Sequence, residues 1–342
     1  MKDKEHSWLA PSGAHRWLHC AGSVKLTEGM DTTSVYAEEG TLAHYCAESI
    51  LRKAAGPLPD EVNDEMRRHG QAYADYVRNL GKGGMGWIET SLSLEHLYQD
   101  GHGTCDAIIF NKGVLHIIDY KYGAGLLVQA YENPQLLLYA SAARNWFVGE
   151  IKQIVVHVYQ PRIVYEKPYR TWEVTPERLD KFEQEVKRQV AVIQGPNPPL
   201  NPGEKQCKWC PIKQTCKALD EHVKATMNVY FDDLTKLADA ELVAIQRDAK
   251  LITDRLAAVE RHLRDRLEAG ETIKHIRLTP GRMISAWKDD VEKELTDLLG
   301  EDAFVRKPIT ITAARKLMSK EAIAELTVKN PTKDKLEVYE DD

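Results

Sequence analysis

The residues best placed to do chemistry are two aspartates and a lysine within the short stretch Gly103–Lys121. If Lys112-Gly113 forms a two-residue hairpin loop, the register of the flanking strands puts Asp106 directly opposite Asp119. Facing carboxylates destabilise a hairpin unless something positive lies between them. Side chains alternate along a strand, so Lys121 shares the face of Asp119. Oxygen ligands of this kind suit Mg²⁺ or Mn²⁺, and the stretch therefore predicts a divalent metal site.

A surface hairpin with an ordinary charged face is the alternative interpretation of this stretch. Asp119 follows Ile117 and Ile118, where a buried strand would be expected to continue apolar. An ionised carboxylate at such a position is expensive unless it is coordinated, so the context favours the metal site. Glu89, on the predicted first strand, could assist this site, although an exposed strand carboxylate is the commoner interpretation.

A second candidate metal site is the pattern C-x2-C-x5-C, whose members are Cys207, Cys210 and Cys216. Three thiolates leave a tetrahedral zinc ion or an iron-sulfur cubane one ligand short. Cys105 points to the opposite strand face from its neighbour Asp106, and Cys46 lies in a predicted helix, where a buried free thiol is common. Cys20 is therefore the best candidate for the fourth ligand. The spacing alone does not choose between zinc and iron-sulfur.

The elements that must position these sites follow from apolar periodicity and from helix and turn signals. Helices are predicted over Glu38–Arg52, Asp64–Leu80, Pro134–Phe147 and Thr175–Ile193. Strands are predicted over Trp87–Leu94, Thr104–Phe110, Val114–Tyr122 and Ile154–Gln160. The order of helices, three strands, helix and strand indicates a mixed α/β fold with an antiparallel start. Beyond the proline-rich linker Gly195–Gly203 come the cysteines, a charged helix over Leu242–Leu267, and the acidic tail Glu337–Asp342.

Composition limits the class of protein without naming a function. The chain has 342 residues, 29% of them charged, and a net charge of -6, which argues mildly against a general nucleic-acid binder because such proteins usually carry a basic excess. Six cysteines without a visible secretory signal suggest metal or redox chemistry rather than a disulfide framework. No apolar run could span a membrane, so we expect a cytoplasmic protein. Residues 1–220 and 221–342 are predicted to form separate regions.

Four motifs in sequence order resemble the PD-(D/E)XK nuclease superfamily, and specifically its RecB-like exonuclease branch. They are G-x-x-x-H at Gly40–His44, G-x-x-D at Gly103–Asp106, D-x-K at Asp119–Lys121, and Q-x-x-x-Y at Gln135–Tyr139. The resemblance implies a restriction-endonuclease-like α/β core, a mixed central sheet flanked by helices, followed here by a mainly helical C-terminal appendage. It covers about residues 10–220.

The resemblance also implies roles for individual residues in metal-dependent hydrolysis of DNA. The metal ligands would be His44, Asp106, Asp119 and the main-chain carbonyl of Tyr120, and Lys121 would position and activate the attacking water. Gln135 and Tyr139, one helical turn apart, would line the site and touch DNA.

RecB-like nucleases of the AddB-like and CRISPR-associated type carry an iron-sulfur staple with one cysteine before the core and three after it. The resemblance thus implies a 4Fe-4S cluster on Cys20, Cys207, Cys210 and Cys216, with Zn²⁺ as the alternative. Stand-alone members resemble phage or prophage exonucleases, which implies a bacterial cytoplasm and a single-strand annealing or single-strand binding protein as partner. Two competing interpretations are a catalytically silent DNA-binding scaffold and a zinc-containing recruitment protein.

Overall fold

A five-stranded sheet forms the centre of the computed structural model, which describes residues 7–30, 35–54, 56–163, 167–230, 233–274 and 276–278. The strands lie in the order of the chain: β1 Met85–Ser93, β2 His102–Asn111, β3 Val114–Tyr120, β4 Gln153–Tyr159 and β5 Tyr169–Val174. Only β3 and β4 are parallel, and the other neighbouring pairs are antiparallel. The predicted α/β fold with a mixed central sheet flanked by helices is confirmed.

The β2–β3 hairpin has the predicted loop and register. Asn111 pairs with Val114, and the pairing continues to Ala107 opposite Ile118. The loop residues Lys112 and Gly113 have φ angles of 51° and 85°. Two successive residues at positive φ match the twist of the flanking strands and make a two-residue connection favourable. The next pair in this register is Asp106 and Asp119.

Helices cover both faces of the sheet. The described helices are α1 Ala14–Trp17, α2 Ser23–Leu26, α3 Val35–Arg52, α4 Asp64–Leu80, α5 Pro134–Trp146, α6 Pro176–Ile193, α7 Glu204–Cys207, α8 Lys217–Tyr230 and α9 Asp239–Glu268. Apolar side chains of α5 and α6 pack on one face with Ile108 and Ile117. Those of α3 and α4 pack on the other face with Ile109 and Ile118. Alternation along each strand thus supplies two hydrophobic cores.

The predicted elements agree with the observed ones to within a few residues at each end, but helix α8, the short helices α1, α2 and α7, and one strand were not predicted. The omitted strand is β5, whose side chains alternate between exposed and partly buried positions before Val174. It pairs with β4 alone and forms an edge of the sheet. An edge strand of mixed polarity lacks the apolar run that identified the central strands.

The chain separates into two compact units, residues 1–253 and 254–342. The first holds the sheet, the helices packed on it and the cysteine segment, whereas the second is described only to residue 278. The predicted boundary near residue 220 remains a prediction, and the acidic tail Glu337–Asp342 lies outside the described residues. No helix in the described ranges combines the length and apolarity of a membrane span.

Candidate metal-dependent active site

An interruption of the β1–β2 ladder marks the position of Asp106. Ile88 pairs with Ala107 and Thr90 pairs with Cys105 across the two strands, and Glu89 between them has a φ of 48°. A non-glycine residue in the left-handed region within a strand is strained, and strain of this kind clusters at functional sites. In the β1–β2 register the interruption falls opposite Asp106.

His44, Glu89 and Asp106 meet at this point. Their ligand-type atoms all lie within 4.8 Å of one another. His44 comes from α3, and its Nδ1 lies 3.5 Å from Oδ2 of Asp106. The same Oδ2 accepts a 2.7 Å hydrogen bond from the main-chain N–H of Tyr120. An imidazole and two carboxylates are thus held together by one helix and two strands.

Asp119 and Lys121 form a second, adjoining group. Asp119 is 3% exposed, and its Oδ1 and Oδ2 lie 3.2 and 3.0 Å from Nζ of Lys121. Lys121 also donates a 2.9 Å hydrogen bond to Oε1 of Gln135, whose Nε2 lies 3.4 Å from the hydroxyl of Tyr139. Gln135 is fixed at the start of α5 because its main-chain N–H is capped by the Asn133 side chain.

Burial and nearby charges shift the pKa values of Asp106 and Asp119 in opposite directions. Burial raises the pKa of Asp106, but His44, the hydrogen bond from Tyr120 and the charge of Lys121 outweigh it, so the net pKa is lowered. The pKa of Asp119 is raised, mainly because burial and the nearby charge of Asp106 outweigh the attraction of Lys121. A buried and a partly buried carboxylate that repel each other are the electrostatic setting in which a divalent cation is stabilising.

The two basic groups of the site respond to these carboxylates. Burial alone would lower the pKa of His44, yet the charge of Asp106 and the hydrogen bond to it raise the net value. Burial would likewise lower the pKa of Lys121, and Asp119 and Asp106 together raise it. Lys121 therefore carries its proton at neutral pH.

The structure brings together most of the residues singled out from the sequence. His44 and Asp106 share one group, and Asp119, Lys121 and Gln135 share the adjoining one. Among the described residues, the third member of the His44 group is Glu89 rather than Asp119. The sequence shows Glu89 only as a carboxylate on a predicted strand, because neither its left-handed backbone nor the β1–β2 register can be derived from spacing.

The four cysteines named for the second site line a single cavity near the N-terminal helices. Its lining comprises Cys20, Cys207, Cys210 and Cys216 together with apolar groups such as Leu200, Ile212 and Leu219. Main-chain N–H groups of Asn201 and Gly203 lie 3.4 and 3.5 Å from the sulfurs of Cys20 and Cys207. Burial raises the pKa of Cys207 to about 11, so its thiolate requires a cationic partner.

The remaining two cysteines lie elsewhere, as predicted. Cys46 and Cys105 are fully buried in the two cores of the sheet. The sulfur of Cys105 points to main-chain carbonyls of Ala107 and Ile118 rather than to the metal-type group beside Asp106. Both behave as small apolar core residues.

Fold and site together define an α/β protein with an acidic, histidine-containing group at one end of a mixed sheet. The chain belongs to the family described as protein of unknown function (DUF2800), whose model matches residues 6–342.

Parts of the architecture are similar to solved structures. A candidate exonuclease from Eubacterium rectale shares 13% sequence identity, and the match covers 65% of this chain and 92% of that chain with a TM-score of 0.38. The alkaline exonuclease LHK-Exo from Laribacter hongkongensis shares 14% identity, with 55% and 91% covered and a TM-score of 0.24. At TM-scores this low, neither likeness supports an argument about function.

Proposed function

We propose that this chain is a Mg²⁺- or Mn²⁺-dependent DNA exonuclease that hydrolyses phosphodiester bonds in DNA recombination, repair or replication. The observation that carries the proposal is the meeting of His44, Glu89 and Asp106 beside the buried pair Asp119 and Lys121. A surface hairpin would not bury a carboxylate to 3% exposure next to a second one, because the desolvation of two neighbouring carboxylates is unfavourable without a cation in addition to Lys121.

The donor set fits a hard divalent metal. Carboxylate oxygens and one imidazole suit Mg²⁺ or Mn²⁺, and Oδ2 of Asp119 is a buried oxygen that lies 3.0 Å from the ammonium of Lys121. In the proposal His44, Asp106, Asp119 and the carbonyl of Tyr120 hold the metal, and Glu89 adds a carboxylate. When bound, such a metal supplies Lewis-acid stabilisation of phosphate charge and lowers the pKa of a coordinated water.

The chain's own residues supply orientation and charge. The protonated Lys121 offers hydrogen-bond donors to a phosphate oxygen or to the attacking water, and its ammonium is held in place by Asp119 and Gln135. Gln135 and Tyr139 lie one turn apart on α5 and form the wall beside it, where Gln135 would contact the DNA strand and Tyr139, 6% exposed, would support Gln135. In the metal-free protein the charge of His44 lowers the pKa of Asp106, whereas His44 bound to the metal would be neutral and the metal would keep Asp106 ionised.

In the same proposal the cysteine cavity holds a structural 4Fe-4S cluster. Four sulfurs around one zinc ion at 2.3 Å lie about 3.8 Å apart. Among the described residues, no three cysteine sulfurs all lie within 4.8 Å of one another. Cysteine sulfurs spaced more widely than the four sulfurs around one zinc ion support a 4Fe-4S cluster over zinc. Binding would join Cys20 to Cys207–Cys216 across the whole nuclease core.

The test is cleavage of end-labelled linear DNA by the purified full chain with Mg²⁺, Mn²⁺ or EDTA. We expect nucleotide release with either metal and none with EDTA. Lys121→Ala should lower the rate at least about a hundredfold. Lys82→Ala, an exposed lysine in the turn between α4 and β1, is the matched control and should leave the rate unchanged. Metal-dependent cleavage that persists in Lys121→Ala would overturn the mechanism.

A further inference from the structure

A buried glutamine follows β4 directly and contacts the loop that leaves Lys121. Gln160 is 1% exposed. Its Nε2 donates hydrogen bonds of 2.7 Å to the carbonyls of Gly123 and Leu126, and its Oε1 accepts from the N–H of Val128 at 3.0 Å. One side chain thus binds three main-chain groups of the same loop.

Arg170 completes the hydrogen bonding of this amide. Its Nη2 donates to Oε1 of Gln160 at 2.8 Å, and its Nε donates to the carbonyl of Val128 at 2.6 Å. Gln160 therefore uses both of its donors and both acceptor positions. Reversing the amide would direct its oxygen at two carbonyls, so the orientation is determined by the contacts.

The loop that Gln160 contacts connects Asp119 and Lys121, at the end of β3, to Gln135 at the start of α5. Residues 122–132 form neither helix nor strand, begin directly after Lys121 and lead into α5, which carries Gln135. The main chain of Lys121 is tied on one side by its N–H, which donates to the carbonyl of Tyr159 at 2.8 Å. Two residues after Lys121, the carbonyl of Gly123 accepts the hydrogen bond from Nε2 of Gln160.

We propose that Gln160 is a positioning residue for the reaction: by holding the Gly123 carbonyl, it keeps the Lys121 ammonium between Asp119 and Gln135. This inference rests on the proposed nuclease function. Loss of the two donated hydrogen bonds frees the backbone two residues after Lys121. A displacement of about 1 Å of a group that acts on the transition state lowers the rate by up to about a hundredfold.

Two substitutions separate positioning from folding. Gln160→Glu keeps the shape, the bond from Val128 and the contact with Arg170, but replaces both donors by a carboxylate oxygen that repels the carbonyls. Gln160→Met removes all polar contacts at similar volume. Asn111→Leu is the matched control, because the Asn111 amide also donates to two main-chain carbonyls, those of Leu80 and Lys82. Asn111 is the last residue of β2, beside the hairpin loop rather than beside Lys121.

Steady-state cleavage of linear DNA is measured below the melting temperature of every variant. We expect kcat to fall at least tenfold in Gln160→Glu with KM changed less than twofold, and Asn111→Leu to keep its kcat within twofold. Gln160→Met should match Gln160→Glu if it folds. A wild-type kcat in Gln160→Glu, or an equal loss in Asn111→Leu, overturns the proposal.

Amide hydrogen exchange makes the proposal testable even if the wild-type chain cleaves no DNA, in which case the proposed function fails on its own. The N–H of Lys121 should exchange at least tenfold faster in Gln160→Glu than in the wild type, and at the wild-type rate in Asn111→Leu. Unchanged exchange at Lys121 in Gln160→Glu overturns the positioning role whatever the activity.

Discussion

The two candidate metal sites are built in opposite ways. The carboxylate site is assembled mainly from neighbouring strands, and the hydrogen-bond ladder of the β2–β3 hairpin already places Asp106 beside Tyr120. The cysteine cavity joins Cys20 to residues nearly two hundred positions later in the chain. A site formed by local pairing exists before its ligand binds, whereas a site formed by distant segments depends on what holds those segments together.

This difference in construction predicts different roles for the two sites. Charge repulsion and a strained residue are present in the carboxylate site, so it lowers the stability of the fold, and in the proposed function it would serve the reaction. The cysteine cavity is lined by apolar groups and thiols, and a metal centre bound there would stabilise the fold. Substitutions should therefore separate loss of folding from loss of activity.

The largest effect is expected from Cys20→Ser, which removes the ligand that closes the core. Structural metal sites contribute about 10 kcal/mol or more to folding, as much as the whole stability of a typical domain. We expect loss of the brown absorbance near 400 nm and of bound iron, and either insoluble protein or a fall in Tm of more than about 10 °C.

Cys46→Ala is the matched control for that experiment. It removes a fully buried sulfur that lies outside the cavity, and should leave iron content unchanged with a small fall in Tm. Zinc in place of iron in the purified wild-type chain would identify the cavity as a zinc site. Wild-type stability in Cys20→Ser would contradict a role in closing the fold.

An intermediate effect is expected at Glu89, whose backbone has a φ of 48°. Glu89→Gly and Glu89→Ala both remove the carboxylate, and both should weaken Mn²⁺ binding by about tenfold or more. Glycine adopts this conformation without strain, so Glu89→Gly should be about 1 kcal/mol more stable than Glu89→Ala in urea unfolding. Equal stabilities would mean that no strain is stored there, and unchanged Mn²⁺ affinity in isothermal titration would remove Glu89 from the site.

A smaller, pH-dependent effect is expected at Asp119 in metal-free protein. Its folded-state pKa is raised, so the ionised carboxylate destabilises the fold at neutral pH, and stability is lost as pH rises through the folded pKa. Asp119→Asn should therefore be more stable than the wild type by on the order of 1 kcal/mol at neutral pH in EDTA. The difference should close as pH falls through the raised folded-state pKa and the wild-type carboxyl becomes protonated, and a constant difference would contradict the assignment.

The sequence predicted the hairpin and much of the site because both depend on local rules. A two-residue loop between apolar strands determines the register, and the register brings Asp106 to Asp119. The Asn133-Pro134 pair likewise predicts the start of α5 and hence the place of Gln135.

Other parts depend on tertiary contacts that no spacing encodes. Glu89 joins the site through an irregular backbone conformation, and Gln160 matters only because a loop folds back onto it. Strand β5 is an edge strand of mixed polarity, so its sequence lacks the apolar run that would predict its pairing with β4. In each case the partner lies outside the local segment, and its position is decided by packing of the whole sheet.

The most direct test of the central claim is the rate at which Asp119→Asn releases nucleotides from end-labelled linear DNA in Mg²⁺ or Mn²⁺. This variant should fold at least as stably as the wild type, so lost activity cannot be attributed to unfolding. We expect a rate at least about a hundredfold below wild type with both metals. A rate within twofold of wild type would show that the carboxylate site at the end of the sheet is not the catalytic centre.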